Sequence, residues 1–147
     1  MALLGGGVGG AGNPVGGSFT GPAEALEIIG DHAYAFASVT GTSTSELTRL
    51  DFTSGNYYFV GRVTLNGSAD TSSVLNGNVT VFVLSFNGTE VMRTKVDTIA
   101  NDMPTSVYND IIIPPYTEVK LTSISDDDDA TRKTSCSLTG RIYRTRD

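Results

Sequence analysis

Residues 77–97 read GNVTVFVLSFNGTEVMRTKVD. Two apolar runs flank Asn87–Gly88, and Asn-Gly between such runs is the strongest short hairpin signal. Both residues tolerate the positive φ that a type I′ turn requires. The spacing therefore predicts two antiparallel strands joined at Asn87–Gly88. From Val81 to Phe86 the first strand is apolar at nearly every position. One of its faces is expected to meet a core, and the other to lie under the N-terminal segment or against another subunit.

Working outward from this hairpin, further short runs with strand character recur on both sides. Upstream are ALEIIG (25–30), HAYAFASVT (32–40), SELTRLDF (45–52) and YYFVGRVTLN (57–66). Downstream are SVYNDIII (106–113), TEVKLTSIS (117–125) and TSCSLTGRIY (134–143). Alternation puts Phe59, Gly61, Val63 and Leu65 on one face, opposite Arg62 and Thr64. It likewise groups Cys136, Leu138, Gly140 and Ile142 against Ser135, Ser137, Thr139 and Arg141. In HAYAFASVT, Tyr34 and Phe36 share one face and Ala33, Ala35 and Ala37 the other. Residues 22–29 also allow a short helical turn after Pro22.

Turn signals recur at Gly30–Asp31, Gly41–Thr42, Ser54–Gly55–Asn56, Asn66–Gly67, Asn76–Gly77 and Asp126–Asp129. Pro114 and Pro115 cannot donate ladder hydrogen bonds, so the sheet must break or turn there, with Tyr116 capping the corner. Such spacing points to an all-β fold, an antiparallel β-sandwich of eight or nine strands and jelly-roll-like, rather than to βαβ units. The expected organisation is a Gly-rich arm over residues 1–22 and one sandwich domain over 23–147.

The formal net charge of −6 argues against nucleic acid and anionic membrane as main partners. No segment approaches the roughly 18 apolar residues that a spanning helix needs. Five of the ten basic residues lie in the last 16 positions, just after the acidic run Asp126, Asp127, Asp128 and Asp129. Read blandly, this is a solvated loop and a half-exposed strand. Read functionally, Asp126–Asp129 with Arg141, Arg144 and Arg146 steer docking between copies of the chain or onto another surface. The single cysteine, Cys136, rules out an internal disulfide and fits a cytosolic origin or assembly in a cytosol. The Asn-x-Ser/Thr triplets at Asn66, Asn78 and Asn87 are read as turns rather than glycan sites.

Chemistry is sparse. Asp31–His32 can orient an imidazole, but no Gly-x-Ser-x-Gly elbow or other nucleophile motif accompanies it, so the histidine reads as structural. The four consecutive aspartates lack the alternating ligands, central glycine and distal glutamate of an EF-hand loop. GGGVGGAG lacks the Gly-Lys-Ser/Thr ending of a phosphate loop. We expect no catalytic residue, no metal site and no cofactor. Tyr57, Tyr58, Tyr108 and Tyr116 are candidates for sugar stacking, weakened by the absence of tryptophan.

The opening MALLGGGVGGAGNPVGGSFTG holds nine of the 17 glycines. Glycine loses the most conformational entropy on ordering. A segment with so few side chains gains order from a partner, whose surface its backbone can approach closely or join as an added strand. Leu3, Leu4, Val8, Asn13, Pro14, Val15 and Phe19 are the expected contacts.

This opening, together with GDHAYAFASVTG (30–41), NYYFVGRVTLNGS (56–68) and DIIIPPYTEVKLTSIS (110–125), resembles small capsid decoration (cement) and minor head proteins of tailed bacteriophages, marine cyanophages among them. The resemblance covers most of the chain in pattern. It implies a β-domain on the outer surface of the capsid, an N-terminal arm clamped across the major capsid protein, and a homo-oligomer (dimer or trimer), assembled in the host cytoplasm. The alternative is the receptor- or glycan-binding head of a vertex- or tail-associated fibre or spike.

Overall fold

Asn87 and Gly88 both have positive φ, 49° and 77°, as a type I′ turn demands. The computed structural model describes residues 26–37, 40–69, 78–98 and 106–144. Among these residues it has ten strands and no helix. They are β1 (Glu27–Ile29), β2 (His32–Phe36), β3 (Thr40–Thr42), β4 (Leu47–Thr53), β5 (Tyr58–Ala69), β6 (Asn78–Phe86), β7 (Thr89–Thr98), β8 (Ser106–Ile113), β9 (Glu118–Ser125) and β10 (Asp129–Tyr143).

The pairings nest around the Asn87–Gly88 turn. β6 pairs with β7, β5 with β8, β4 with β9 and β2 with β10, all antiparallel. Partners such as Asn78–Thr98, Phe59–Ile113, Leu50–Leu121 and Phe36–Ser137 all have midpoints between positions 85 and 88. The chain is one long hairpin, rolled up so that β10 also lies beside β5 and β9 beside β6. The result is one sheet in the order β1-β2-β10-β5-β8, with β3 on β10, and a second in the order β4-β9-β6-β7. Leaving aside the three-residue strands β1 and β3, this is the eight-strand order of a jelly roll.

The expected alternation holds in the centre of the sandwich. Phe59, Val63 and Leu65 of β5 are buried with Cys136, Leu138 and Ile142 of β10. Phe82 and Leu84 of β6 meet them from the other sheet, with Leu50, Phe52, Val119 and Leu121. In β2 the alanines face inward, and the Tyr34 and Phe36 rings are left on the outside. Gly61 and Gly140 sit directly opposite each other. A Cβ on Gly61 would lie 2.5 Å from the Phe59 ring, and one on Gly140 2.8 Å from it. Only glycine leaves room there for the Phe59 ring beneath two strands in close approach.

Pro114 and Pro115 end β8, and Tyr116 takes a positive φ of 54° in the turn that follows. Ser54 secures this corner. Its Oγ donates to Pro114 O and accepts from Thr117 N, each at 2.8 Å.

The structure departs from the sequence reading at several points. Residues 32–40 are not one strand, because β2 and β3 line the same edge of β10 in succession. Asn66–Gly67 and Gly41–Thr42 are strand, not turn. Asn66 instead donates its amide to Ser135 Oγ across the ladder at 2.9 Å. Asn78 likewise opens β6, so of the three triplet asparagines Asn87 alone lies in a turn. The helical alternative over 22–29 gives way to strand β1 in its described part.

Arg49 breaks period-two alternation, a point on which the sequence reading was silent. Strict alternation in β4 would turn it outward with Asp51. A bulge between Thr48 and Leu50 in the β4–β9 ladder places Arg49 and Leu50 side by side in the interior, 2% and 1% exposed. The Arg49 guanidinium crosses between the sheets and donates from Nη1 to Thr134 Oγ1 (3.2 Å) and from Nη2 to Thr134 O (2.8 Å). Burial lowers its pKa, with Cys136 acting in the opposite direction. Burial also pushes the Cys136 thiol up to about 11, with the nearby Arg49 charge partly opposing it.

Two outcomes follow for stability. Arg49→Ala should lose about 3 kcal/mol in urea unfolding, from the cavity and the orphaned Thr134 groups, and Arg49→Met should recover at least half of that. A loss under about 1 kcal/mol for the alanine variant would contradict the cross-sheet role. The thiol predicts an alkaline effect. Its folded pKa of about 11 lies above the ordinary value of 9.0. The contribution is therefore complete below the unfolded pKa and is lost as pH rises toward the folded one. Relative to Cys136→Ala, the parent chain should lose roughly 2–3 kcal/mol between the two pKa values. Parallel pH profiles for the two proteins would refute this.

Candidate interaction face

The outward side of the six-stranded sheet gathers side chains from five strands. Register sets them in rows: Ile29, His32, Arg141, Val60 and Ile112, and then Glu27, Tyr34, Thr139, Arg62 and Asp110. A third row holds Phe36, Ser137, Thr64 and Tyr108, and Tyr143 pairs with Tyr58 at the other end. Seven of the ten large hydrophobic side chains that are exposed among the described residues belong to this face: Ile29, Phe36, Tyr58, Val60, Tyr108, Ile112 and Tyr143. Ile112 is 59% exposed and Tyr108 58%.

The outer side of the four-stranded sheet differs. Val81 and Val83, expected to need an external cover, are already half-buried within the chain. They stand opposite Lys95 and Arg93 of β7 in the register, whose aliphatic stems can cover them.

Charges on the six-stranded face are matched locally. Arg62 Nε donates to Asp110 Oδ1 at 2.9 Å, which holds the Asp110 carboxyl below its usual range. The same guanidinium lies 3.9 Å from the centre of the Tyr108 ring. Asp31 sits 2.8 Å from His32 Nδ1, and Arg141 Nη1 approaches Asp31 at 3.9 Å. The Tyr34 and Phe36 rings stack at 6.0 Å with 9° between their planes. Two shallow grooves flank Thr139. One of about 690 Å³ is bounded by Val60, Arg62, Asp110 and Ile112, and one of about 460 Å³ by Ile29, His32, Tyr34 and Arg141. The first includes Gly61 and the second Gly140, so the paired glycines lie along the grooves as well as over Phe59.

Apolar and polar side chains are interleaved across this surface. Its one imidazole is bonded to Asp31 in the open, while the single thiol, Cys136, points into the core from the other side of β10. Among the described residues no three His, Cys, Asp or Glu side chains gather as a metal site.

The acidic run has an internal role that the sequence reading did not foresee. Asp126 accepts from Val79 N at 3.2 Å. Asp127 accepts from Thr42 Oγ1 at 2.8 Å and from Arg132 Nη1 at 2.6 Å. Asp128 accepts from Thr44 N and Thr44 Oγ1, at 2.8 and 2.7 Å, which lowers its pKa. Asp129 Oδ2 is 3.7 Å from Arg132 Nε. The carboxylates of Asp126, Asp127 and Asp128 thus close one end of the sandwich, joining the β9–β10 turn to β6, to β3 and to the β3–β4 segment. Arg141 lies on the apolar face, and Arg144 is exposed just beyond β10. Leu3, Leu4, Val8, Asn13, Pro14, Val15, Phe19 and Arg146 lie outside the described residues.

The face itself was not among the expected sites. Its signal was nevertheless present: Val60, Ile112 and Tyr143 are large apolar residues at the outward parity of strands whose inward parity is apolar too. A half-solvated antiparallel strand should alternate cleanly.

No family model matches the chain, and no curated protein does. Among solved structures it is similar to a family 35 carbohydrate-binding module from an environmental isolate, at 12% identity and a TM-score of 0.44, covering 92% of this chain and 95% of that one. It is also similar to part of dimeric latent PorU from Porphyromonas gingivalis, at 13% identity and 0.44, over 86% of this chain but 14% of PorU. A third is the VP2 subviral particle of infectious bursal disease virus, at 14% identity and 0.36, over 88% of this chain and 38% of VP2. The chain thus spans only a small part of PorU and well under half of VP2.

Proposed function

We propose that this chain is a structural virion protein, a capsid decoration or cement protein. Its sandwich would dock on the outer surface of a tailed-phage head while its N-terminal arm clamps the major capsid protein. The observation that carries the reading is the apolar and aromatic outer face of the six-stranded sheet. Seven exposed apolar side chains on one sheet face, interleaved with polar ones, are costly to leave in water and favour a contact surface. The described fold begins at Leu26 and β1, the edge strand of that same sheet. Arm and face then act on one assembly. Each bound copy stabilises the shell by mass action, and a clamp that fits only the expanded shell favours it by differential affinity.

A second reading is a glycan-binding head on a fibre or spike. It is favoured by the neighbouring rings of Tyr58 and Tyr143 on an open sheet face. It predicts saccharide binding by the isolated protein and a low copy number on particles.

The test is to add the full chain and a version lacking residues 1–21 to shells of the encoding phage that lack this protein. The truncated chain should keep its circular dichroism spectrum and unfolding midpoint while losing shell binding by at least 100-fold. Full occupancy by the truncated chain would reject the clamp.

A further inference from the structure

We infer that the open edge of β8 is a docking site for an extended segment of another protein, which adds there as a further strand of the six-stranded sheet. The site is the rim of that sheet, not its outer face, and it stands independently of the reading above.

Four strands border the two sheets, β1 and β8 in one and β4 and β7 in the other. A bare strand edge invites another backbone, and proteins blunt such edges by shortening, bulging or charging them. β1 has only three residues. β4 is bulged between Thr48 and Leu50. β7 starts beside a bulge at Leu84–Ser85 and exposes Glu90, Arg93 and Lys95. β8 is neither short nor bulged. It pairs with β5 along all eight of its residues without a register shift. Its one charged side chain, Asp110, is matched by Arg62 of β5.

Hydrogen-bond parity identifies the main-chain groups left over on β8. Ala37 N donates to Cys136 O, and Ile142 N to Asp31 O. Successive residues of a strand bond to opposite sides. Here the even-numbered residues of β10 bond toward β2, so the odd-numbered ones bond toward β5. Arg141 is opposite Val60, so Gly61 bonds to the other side, where it is opposite Ile111. Odd-numbered residues of β8 therefore hold the β5 ladder. The N–H and C=O groups of Ser106, Tyr108, Asp110 and Ile112 point to the open edge. Among the described residues no strand lies beyond them. Donors and acceptors that repeat every second residue match the backbone of another extended chain.

The side chains at this edge set what that chain carries. Val107 and Ile111 are only partly buried where they pack against the core. An added strand with apolar residues at alternate positions completes their cover. A foreign segment fits better than the two sources within the protein itself. β1, where the described fold begins, is the opposite border of the sheet, four strands away. Pairing β8 with β8 of a second copy, in either register that keeps most of the strand and its apolar sides together, sets the two Asp110 carboxylates opposite or diagonal to each other, and like charges so placed repel.

The experiment follows amide hydrogen exchange by NMR on the full chain. The probe is an acetylated peptide of about eight residues, the length of β8, alternating valine with threonine and ending in lysine for solubility. In the chain alone, the N–H groups of Tyr108, Asp110 and Ile112 should exchange at least about 100-fold faster than those of Val107, Asn109 and Ile111. Probe at about 1 mM should slow the first three by at least about 10-fold, and the same peptide N-methylated along its backbone should not. Asp110→Pro removes an outward N–H that the β5 ladder does not use, so it should keep the fold and abolish the effect of the probe. Asp110→Ala should keep both. The N-methylated peptide supplies the same control without a substitution should the proline variant fail to fold. No slowing by the probe, or equal slowing by the N-methylated peptide, would overturn the proposal. So would outward amides already protected in the chain alone. Protection lost on deleting residues 1–21 would assign the edge to the chain's own segment, and protection that rises with protein concentration would assign it to a second copy. No shell enters this experiment, so the edge and the clamp can each fail without the other.

Discussion

The pairings β6–β7, β5–β8, β4–β9 and β2–β10 are all counted from one two-residue turn. Asn87 and Gly88 accept the positive φ angles that let β6 and β7 lie side by side with the native twist. Once that register is set, the partners of β5, β4 and β2 follow by distance along the chain, because each lies nearly the same number of residues from the turn as its mate. Rolling this hairpin closes two sheets around one core without a crossover helix. Bulges absorb the mismatch between matched lengths and a curved sheet, and one of them delivers Arg49 into the interior.

β10 carries the greatest burden. It pairs with β2, β3 and β5, receives the Arg49 guanidinium at Thr134, supplies Cys136, Leu138 and Ile142 to the core, and passes Gly140 close against Gly61. Its outward residues Ser137, Thr139, Arg141 and Tyr143 run along the middle of the exposed face. Core packing and the exposed face are thus opposite sides of the same strand. The acidic turn that precedes β10 is held by Thr42, Thr44, Val79 and Arg132, which fixes the end of the sandwich from which β10 sets out.

Much of this was legible in the residues. The Asn87–Gly88 hairpin, the inward sets on β5 and β10, the break at Pro114–Pro115 and the sandwich class all follow from period-two patterning and turn chemistry. What was not legible depends on tertiary context. Asn66–Gly67 has the composition of a turn, yet β10 lies alongside and holds it in a ladder. Nothing local announces the bulge that inverts Arg49. The aspartates read as a solvated run because their partners, Thr42 and Thr44, lie more than 80 residues away. The exposed face was readable strand by strand, but only the strand order brings Ile112, Val60 and Ile29 into one row. Strand order is not encoded in any single run.

This rolled hairpin, on the reading proposed above, is an assembly part. Quantitative mass spectrometry of purified virions, giving copies of this chain relative to the major capsid protein, tests it most directly. Shell-wide cement requires a fixed ratio close to that of the major capsid protein. A handful of copies per particle would contradict the cement reading in favour of a vertex or tail position, and absence from particles would contradict the virion assignment altogether.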